Sequence, residues 1–303
     1  MSTITSSLFH SSKFSPRSFS NSSAFVPISA FTRKLHRHHA TTLSFTPRVP
    51  VSEKRITDAR TLHTSTSLHR SPAYPGHIPL STFENAFLAV GSAVMALVDP
   101  RRGDMVAALG ETTAGSTLTK LRDALLDSPE GRRILKDRPR INSKTLDMDK
   151  LKALPDGTFG REYIRWLEAC NVTPDSREPV HYIDDPELAY VMQRYRETHD
   201  FYHALFALRV SALPELALKA FEFTNLGFPM TALALGASIK MKAAQRERLW
   251  REFVPWAIRC GGSARCLLTV YWEERWEQDV GEIKKELGVW DPPAGVSIRS
   301  AAQ

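Results

Sequence analysis

The chain has 303 residues, 42% of them hydrophobic, and a formal net charge of +7, enough apolar material for one large or two small buried cores. That charge invites a nucleic-acid or anionic-membrane reading, but ten Lys/Arg against only Glu53 and Asp58 fall in residues 1–70, leaving 30 basic and 31 acidic residues over 71–303. The body is therefore near charge balance and no nucleic-acid partner is expected; Cys170, Cys260 and Cys266 form no C-x-x-C and no complete disulfide framework, which fits free thiols in a reducing compartment.

Residues 1–70 are rich in Ser, Thr, His and Arg and carry no acidic residue before Glu53. A cationic, acid-poor segment without an apolar core has the composition of a mitochondrial transit peptide, so a disordered leader outside the fold is expected there. From residue 71 helix signals dominate. Ser81 followed by Glu84 forms a capping box ahead of an apolar run that ends at Asp99-Pro100. Residues 103–128 predict a second helix, broken around Gly110 to Gly115, and Ser128-Pro129 opens a short third one. Residues 138–160 read as a connector with one short helix, because Pro155-Asp156-Gly157 has turn chemistry, and 161–171 repeat apolar residues at helical spacing.

Asp185-Pro186-Glu187 caps and starts the longest candidate, which can run to residue 210 as about 24 residues, roughly 36 Å, without internal Gly or Pro. Residues 244–262 and 263–288 predict two more helices, and 294–303 a flexible tail. Two apolar runs, 86–98 and 226–239, are too short to span a bilayer and read as buried or interfacial helices. No sustained period-2 alternation occurs. The expected fold is all-α: a single mainly helical domain over 71–293 with a central long helix.

Beyond the leader there are four histidines, His77, His181, His199 and His203, and the last two stand one turn apart in "THDFYHALFALRVSALPEL" (198–216). Residues i and i+4 share a helix face, so both imidazoles can reach one ion, with Asp200 at the edge of that face. Glu215 is twelve residues past His203, about 18 Å along a continuous helix and too far to share an ion. Pro214 opposes continuity, and a reversal near 209–213 gives an αα-hairpin in which Glu215, in the first turn of the second arm, faces back. By pattern alone, a metal shell and an apolar helix that carries satisfied core histidines both stay open. A zincin needs glutamate where Asp200 stands. Arg196, three residues before His199, reads either as holding a substrate carboxylate or as a solvated surface arginine.

The motif "HDFYH" with eleven residues before Glu215, together with "YPGHIPL" (74–80), "GSAVMALVDPRRGDMVAALGE" (91–111), "RPRI" (138–141), "YIDDPELAYVMQRYRETHDFYH" (182–203) and "YWEERWEQ" (271–278), resembles the coenzyme Q (ubiquinone) biosynthesis family that carries H-D-x-x-H-x11-E. The resemblance implies a helical fold and a divalent ion, most often zinc, on His199, Asp200, His203 and Glu215. It further implies C1 decarboxylation, oxidative or not, of a polyprenylated hydroxybenzoate, 4-hydroxy-3-methoxy-5-polyprenylbenzoate, and organisation of the coenzyme Q synthesis complex. The implied setting is a complex with other coenzyme Q enzymes on the matrix face of the mitochondrial inner membrane. A prenyl tail would give 226–239 a role as tunnel wall or membrane-facing surface. The alternative is a non-catalytic prenyl-lipid-binding scaffold whose ion is structural.

Overall fold

The first helix, α1 (Thr82–Val98), starts where its cap chemistry places it: the Ser81 hydroxyl accepts the Glu84 N–H and the Glu84 carboxylate accepts the Ser81 N–H. A computed structural model describes residues 71–99 and 102–298; the expected leader and residues 299–303 lie outside the described residues. α2 (Gly103–Asp127) follows, with its expected break at Gly115, where φ is +40°. α3 (Pro129–Asp137) uses Ser128 as cap and Pro129 in its first turn, and α4 (Met148–Lys152) is the one short helix of the connector before α5 (Phe159–Cys170).

α6 (Pro186–Leu205) is the predicted central helix: every residue from Ala189 to Leu205 is buried. It has 20 residues and stops short of the expected end. Ala207 takes a left-handed conformation (φ +52°), the Leu208 N–H returns to His203 O at 2.9 Å, and the Ala207 N–H to Ala204 O at 3.1 Å. That is a Schellman closure with alanine in the position usually held by glycine. After six residues α7 (Ala212–Leu226) runs back, so α6 and α7 form the expected αα-hairpin, with Pro214 already inside the first turn of the second arm.

α7 ends at Gly227 (φ +79°). The apolar run 226–239 then breaks into α8 (Pro229–Ala234) and a 3-10 turn over Leu235–Lys240. α9 (Ala243–Arg248) continues through a π turn (Leu249–Phe253) into α10 (Val254–Ser263); the wider turn accommodates Pro255, which lacks an N–H and would clash in a regular helix. α10 lies so close to α7 that a Cβ on Gly261 would meet Phe221 O at 2.8 Å. Of the helix expected over 263–288 only the end forms, as α11 (Val280–Leu287); before it come two 3-10 turns, Leu267–Thr269 and Trp272–Glu274. Side-chain anchors override periodicity there. The Glu130 carboxylate accepts from the Tyr271 N–H and from Arg265 and Arg275, and Trp276 stacks on Phe159 at 5.5 Å.

Among the described residues there is no β-strand, only isolated bridges at Thr158–Asp279 and Leu208–Ser297. The second bridge corrects the expected flexible tail. Val296 is buried, its carbonyl accepts the Arg209 N–H, and the Ile298 N–H reaches Ala207 O at 2.8 Å, so residues 296–298 brace the turn between α6 and α7.

α1 is inside out. It packs on α2 through its small face, with Ser92 its one buried residue, while Phe83, Phe87, Val90, Val94, Leu97 and Val98 form an apolar stripe toward solvent. Phe83 is 80% and Phe87 75% exposed. Lys240 donates to the terminal carbonyls of Leu97 and Val98, which sets the basic turn against the end of the helix. No helix among the described residues is long and apolar enough to cross a membrane.

Candidate metal centre

The hairpin solves the distance problem posed by twelve residues of separation. α6 ends two residues after His203, and Glu215 falls in the first turn of α7, where its N–H bonds to Ser211 O at 3.0 Å. His199, His203 and Glu215 offer three donor atoms within 4.8 Å of one another. One Glu215 oxygen lies 3.3 Å from His199 Nε2 and the other 3.0 Å from His203 Nε2. Metal–ligand bonds of about 2.0–2.1 Å in a tetrahedral site put donors roughly 3.3 Å apart, so the spacing suits a small divalent cation.

Both rings are aimed from behind. His203 Nδ1 lies 3.3 Å from Leu208 O, and a carbonyl only accepts, so Nδ1 carries the hydrogen and Nε2 faces Glu215. The same carbonyl accepts the Trp166 indole N–H at 2.6 Å, and Trp166 stacks on the His203 ring at 5.2 Å. His199 Nδ1 lies 2.6 Å from Glu222 Oε1, again an acceptor, so its Nε2 is likewise the atom turned to the shared point. The histidines are buried, whereas the Glu215 side chain is 33% exposed and forms the open side of the site.

Glu222 and Lys219 are the residues that sequence reading missed. The signal was available in "PELALKAFE": positions 215, 219 and 222 follow at i, i+4 and i+7, one stripe of α7. The Lys219 ammonium lies 2.8 Å from Glu222 Oε2 and 3.9 Å from Glu215, and the Tyr195 hydroxyl donates to Glu222 Oε2 at 2.9 Å. Burial alone would raise the Glu222 pKa, but Lys219 and His199 outweigh it and hold the carboxylate at about 2. Burial likewise opposes ionisation of Glu215, and the two imidazoles hold it well below the usual carboxylate range. For His199, burial and Lys219 push the pKa down and the Glu222 and Glu215 carboxylates outweigh them, raising it. An imidazole between two carboxylates binds a positive charge at Nε2, and either a proton or a metal cation meets that demand.

Asp200 is not brought into this trio. It is buried one residue along α6 and pairs with the Arg177 guanidinium. Arg196 meets neither expectation. It is buried, with Nη2 2.6 Å from Glu111 and 2.8 Å from Ala107 O, and Nη1 bonded to the carbonyls of Glu178 and Pro179. Four acceptors engage both of its terminal nitrogens and turn the guanidinium toward Glu111 and the backbone of residues 107, 178 and 179.

Two cavities, of about 210 and 440 Å³, lie between Thr145–Leu154 and Trp276, and around Arg209, Pro214 and Arg248. Neither includes the histidines or a residue of 226–239, so the tunnel wall expected there is not formed by these cavities. Leu233 and Ile239 instead face solvent.

The sequence profile described as "Coenzyme Q (ubiquinone) biosynthesis protein Coq4" matches residues 74–293. The chain is 66% identical over 232 residues to "Ubiquinone biosynthesis protein COQ4, mitochondrial" of Laccaria bicolor, spanning 76% of this chain and 78% of that one. It is 59% identical over 263 residues to the protein of the same description from Coprinopsis cinerea, spanning 86% and 90%. A crystal structure of a Nostoc punctiforme protein superposes with a TM-score of 0.54 at 22% identity, covering 67% of this chain and 98% of that one, and supports the helical fold.

Proposed function

The chain belongs to the Coq4 family of coenzyme Q (ubiquinone) biosynthesis proteins, and on that premise we propose that it removes the C1 carboxyl of a polyprenylated 4-hydroxy-3-methoxybenzoate with a divalent cation, zinc by choice, held by His199, His203 and Glu215. The convergence of those three donor atoms, each histidine aimed from its Nδ1 side, carries the reading. Closed structural zinc sites take four protein ligands, whereas catalytic ones keep three and leave a position for water or substrate. Here Glu215 stands at the exposed edge, where a substrate oxygen could enter.

When bound, the cation supplies Lewis-acid polarisation of a substrate oxygen. The chain supplies the rest. The bond from C1 to the carboxylate breaks, CO2 leaves, and the electron pair left on C1 takes up a proton from water at the open Glu215 side, releasing hydroxide to solvent. Lys219, 12% exposed and beside Glu215, places a positive charge next to the incoming carboxylate. The mostly buried rings of His199 and His203 keep water from their Nε2 atoms on all but the Glu215 side.

The relatives' names place them in mitochondria, and the same address is proposed here, with residues 1–70 as leader. The α1 stripe is proposed to dock on the matrix face of the inner membrane. α1 has one acidic residue, Glu84, while Lys240, Lys242, Arg246 and the half-exposed Trp250 cluster in the segment capping its C-terminal end. An apolar face with an adjoining basic and tryptophan rim suits an anionic lipid surface. The other coenzyme Q enzymes are the proposed protein partners there.

The test is turnover of a short-tailed substrate analogue by purified protein, with product identification and elemental analysis of the same sample. The expected result is stoichiometric metal and CO2 release, both lost in His203→Ala and Glu215→Gln. Full turnover after chelation would overturn the reading. A wild type that binds metal and loses thermal stability on chelation, but never releases CO2, would establish the scaffold alternative.

A further inference from the structure

Resting on the cation reading above, we propose that Glu222 is a positioning residue of the site: it fixes the tautomer and direction of His199 so that Nε2 presents its lone pair to the point shared with His203 and Glu215. The two histidines are supported differently. His203 leans on a neutral carbonyl at 3.3 Å, whereas His199 is held by a carboxylate at 2.6 Å, the shorter and stronger contact. Glu222 is fully buried, and both its oxygens are engaged, Oε1 by His199 and Oε2 by Tyr195 and Lys219. A carboxylate held at both ends cannot rotate, and neither can the ring bonded to it. Lys219 also lies 3.3 Å from His199 Nδ1, but an ammonium only donates, so it cannot compete with Glu222 for the hydrogen on that nitrogen.

A purely structural role accounts poorly for a charged Lys219–Glu222 pair at this depth. An i,i+3 pair adds little to a helix, and apolar side chains of similar volume hold a buried helix as well as or better than a buried ion pair. What an apolar pair cannot do is fix an imidazole tautomer and raise the basicity of its other nitrogen. A carboxylate behind a ligating histidine does both.

The experiment compares zinc affinity, by competition with a chromophoric chelator, in the full chain and in Glu222→Gln, Glu222→Ala and the double variant Glu222→Gln/Lys219→Met. The double variant leaves no unpaired buried charge and keeps the test valid if a single variant misfolds. Loss of Glu222 is expected to weaken zinc binding about 10- to 100-fold, with Gln, which can still accept from Nδ1, weakening it less than Ala. In the cobalt-substituted protein the ligand-field bands should shift, a readout that a change in stability alone would not move. Wild-type zinc affinity and unchanged bands in a folded Glu222→Gln variant would overturn this inference and leave the cation reading standing. Failure of the wild type itself to bind zinc would overturn both.

Discussion

Three charged side chains of α6 hold three distant segments of the chain. Arg194 binds Glu273 and Val270 O, Arg196 binds Glu111 and the carbonyls of 178 and 179, and Glu197 accepts from Arg140 and the Ile141 N–H. Glu111 passes the link on by accepting the N–H groups of His181 and Tyr182. Each anchor is a buried charge with its partner in place, so removing one side leaves the other unpaired in the interior. Arg196→Met is expected to cost about 3–5 kcal/mol of stability by strandng the Glu111 carboxylate, measured by chemical denaturation. A surface arginine would cost a few tenths. These anchors fall in the blocks "RPRI", "MVAALGE" and "YWEER", whose separate resemblances make the family legible in the sequence itself.

At the scale of elements, capped helix starts are readable in the sequence, and the end of the central helix is not. Ser81 with Glu84, Ser128 with Pro129 and Asp185 with Pro186 each bond or fix the first turn by local chemistry, which a sequence displays directly. The end of α6 hid because its closing residue is Ala207, which gives no glycine signal. The strain this implies is testable: Ala207→Gly should stabilise by about 1 kcal/mol, raising the melting temperature by about 2–4 °C for a domain of this size. A lower melting temperature would mean that the Ala207 methyl packs better than its backbone is strained. The same contrast separates the candidate site from the loop. His199, His203 and Glu215 stand out in the sequence because Pro214 marks an interruption of the helix, although Ala207 makes the reversal, whereas residues 263–279 read as helix because their anchors on Glu130 and Phe159 lie more than a hundred residues away in sequence.

Seen whole, the molecule keeps its chemistry and its apolar surface on different helices. The site lies between α6 and α7, while the exposed stripe belongs to α1, which reaches the hairpin through α2. The proposed membrane attachment and the proposed metal binding should therefore be separable. Phe87→Glu is expected to weaken binding to vesicles containing anionic phospholipid about tenfold or more, from the loss of roughly 1.5–3 kcal/mol of side-chain burial, with zinc affinity unchanged. Sedimentation of the variant with vesicles reads this out. Unaltered vesicle binding together with loss of a dimer would assign the stripe to a second copy of the chain instead.

Every side chain that surrounds the proposed ion, from His199 to Glu222, comes from 24 consecutive residues. Their orientation, however, is guaranteed by Trp166, by the strand-like pairing of residues 296–298 against the hairpin bend, and by bonds that reach from Ala107 to Glu273. A peptide cut out as the bare hairpin would contain all the donors and none of their guarantors. The proposed site is thus short in sequence yet cannot be transplanted without the domain that encloses it, and shortening the chain at its far end would be felt at the point the two histidines and Glu215 share.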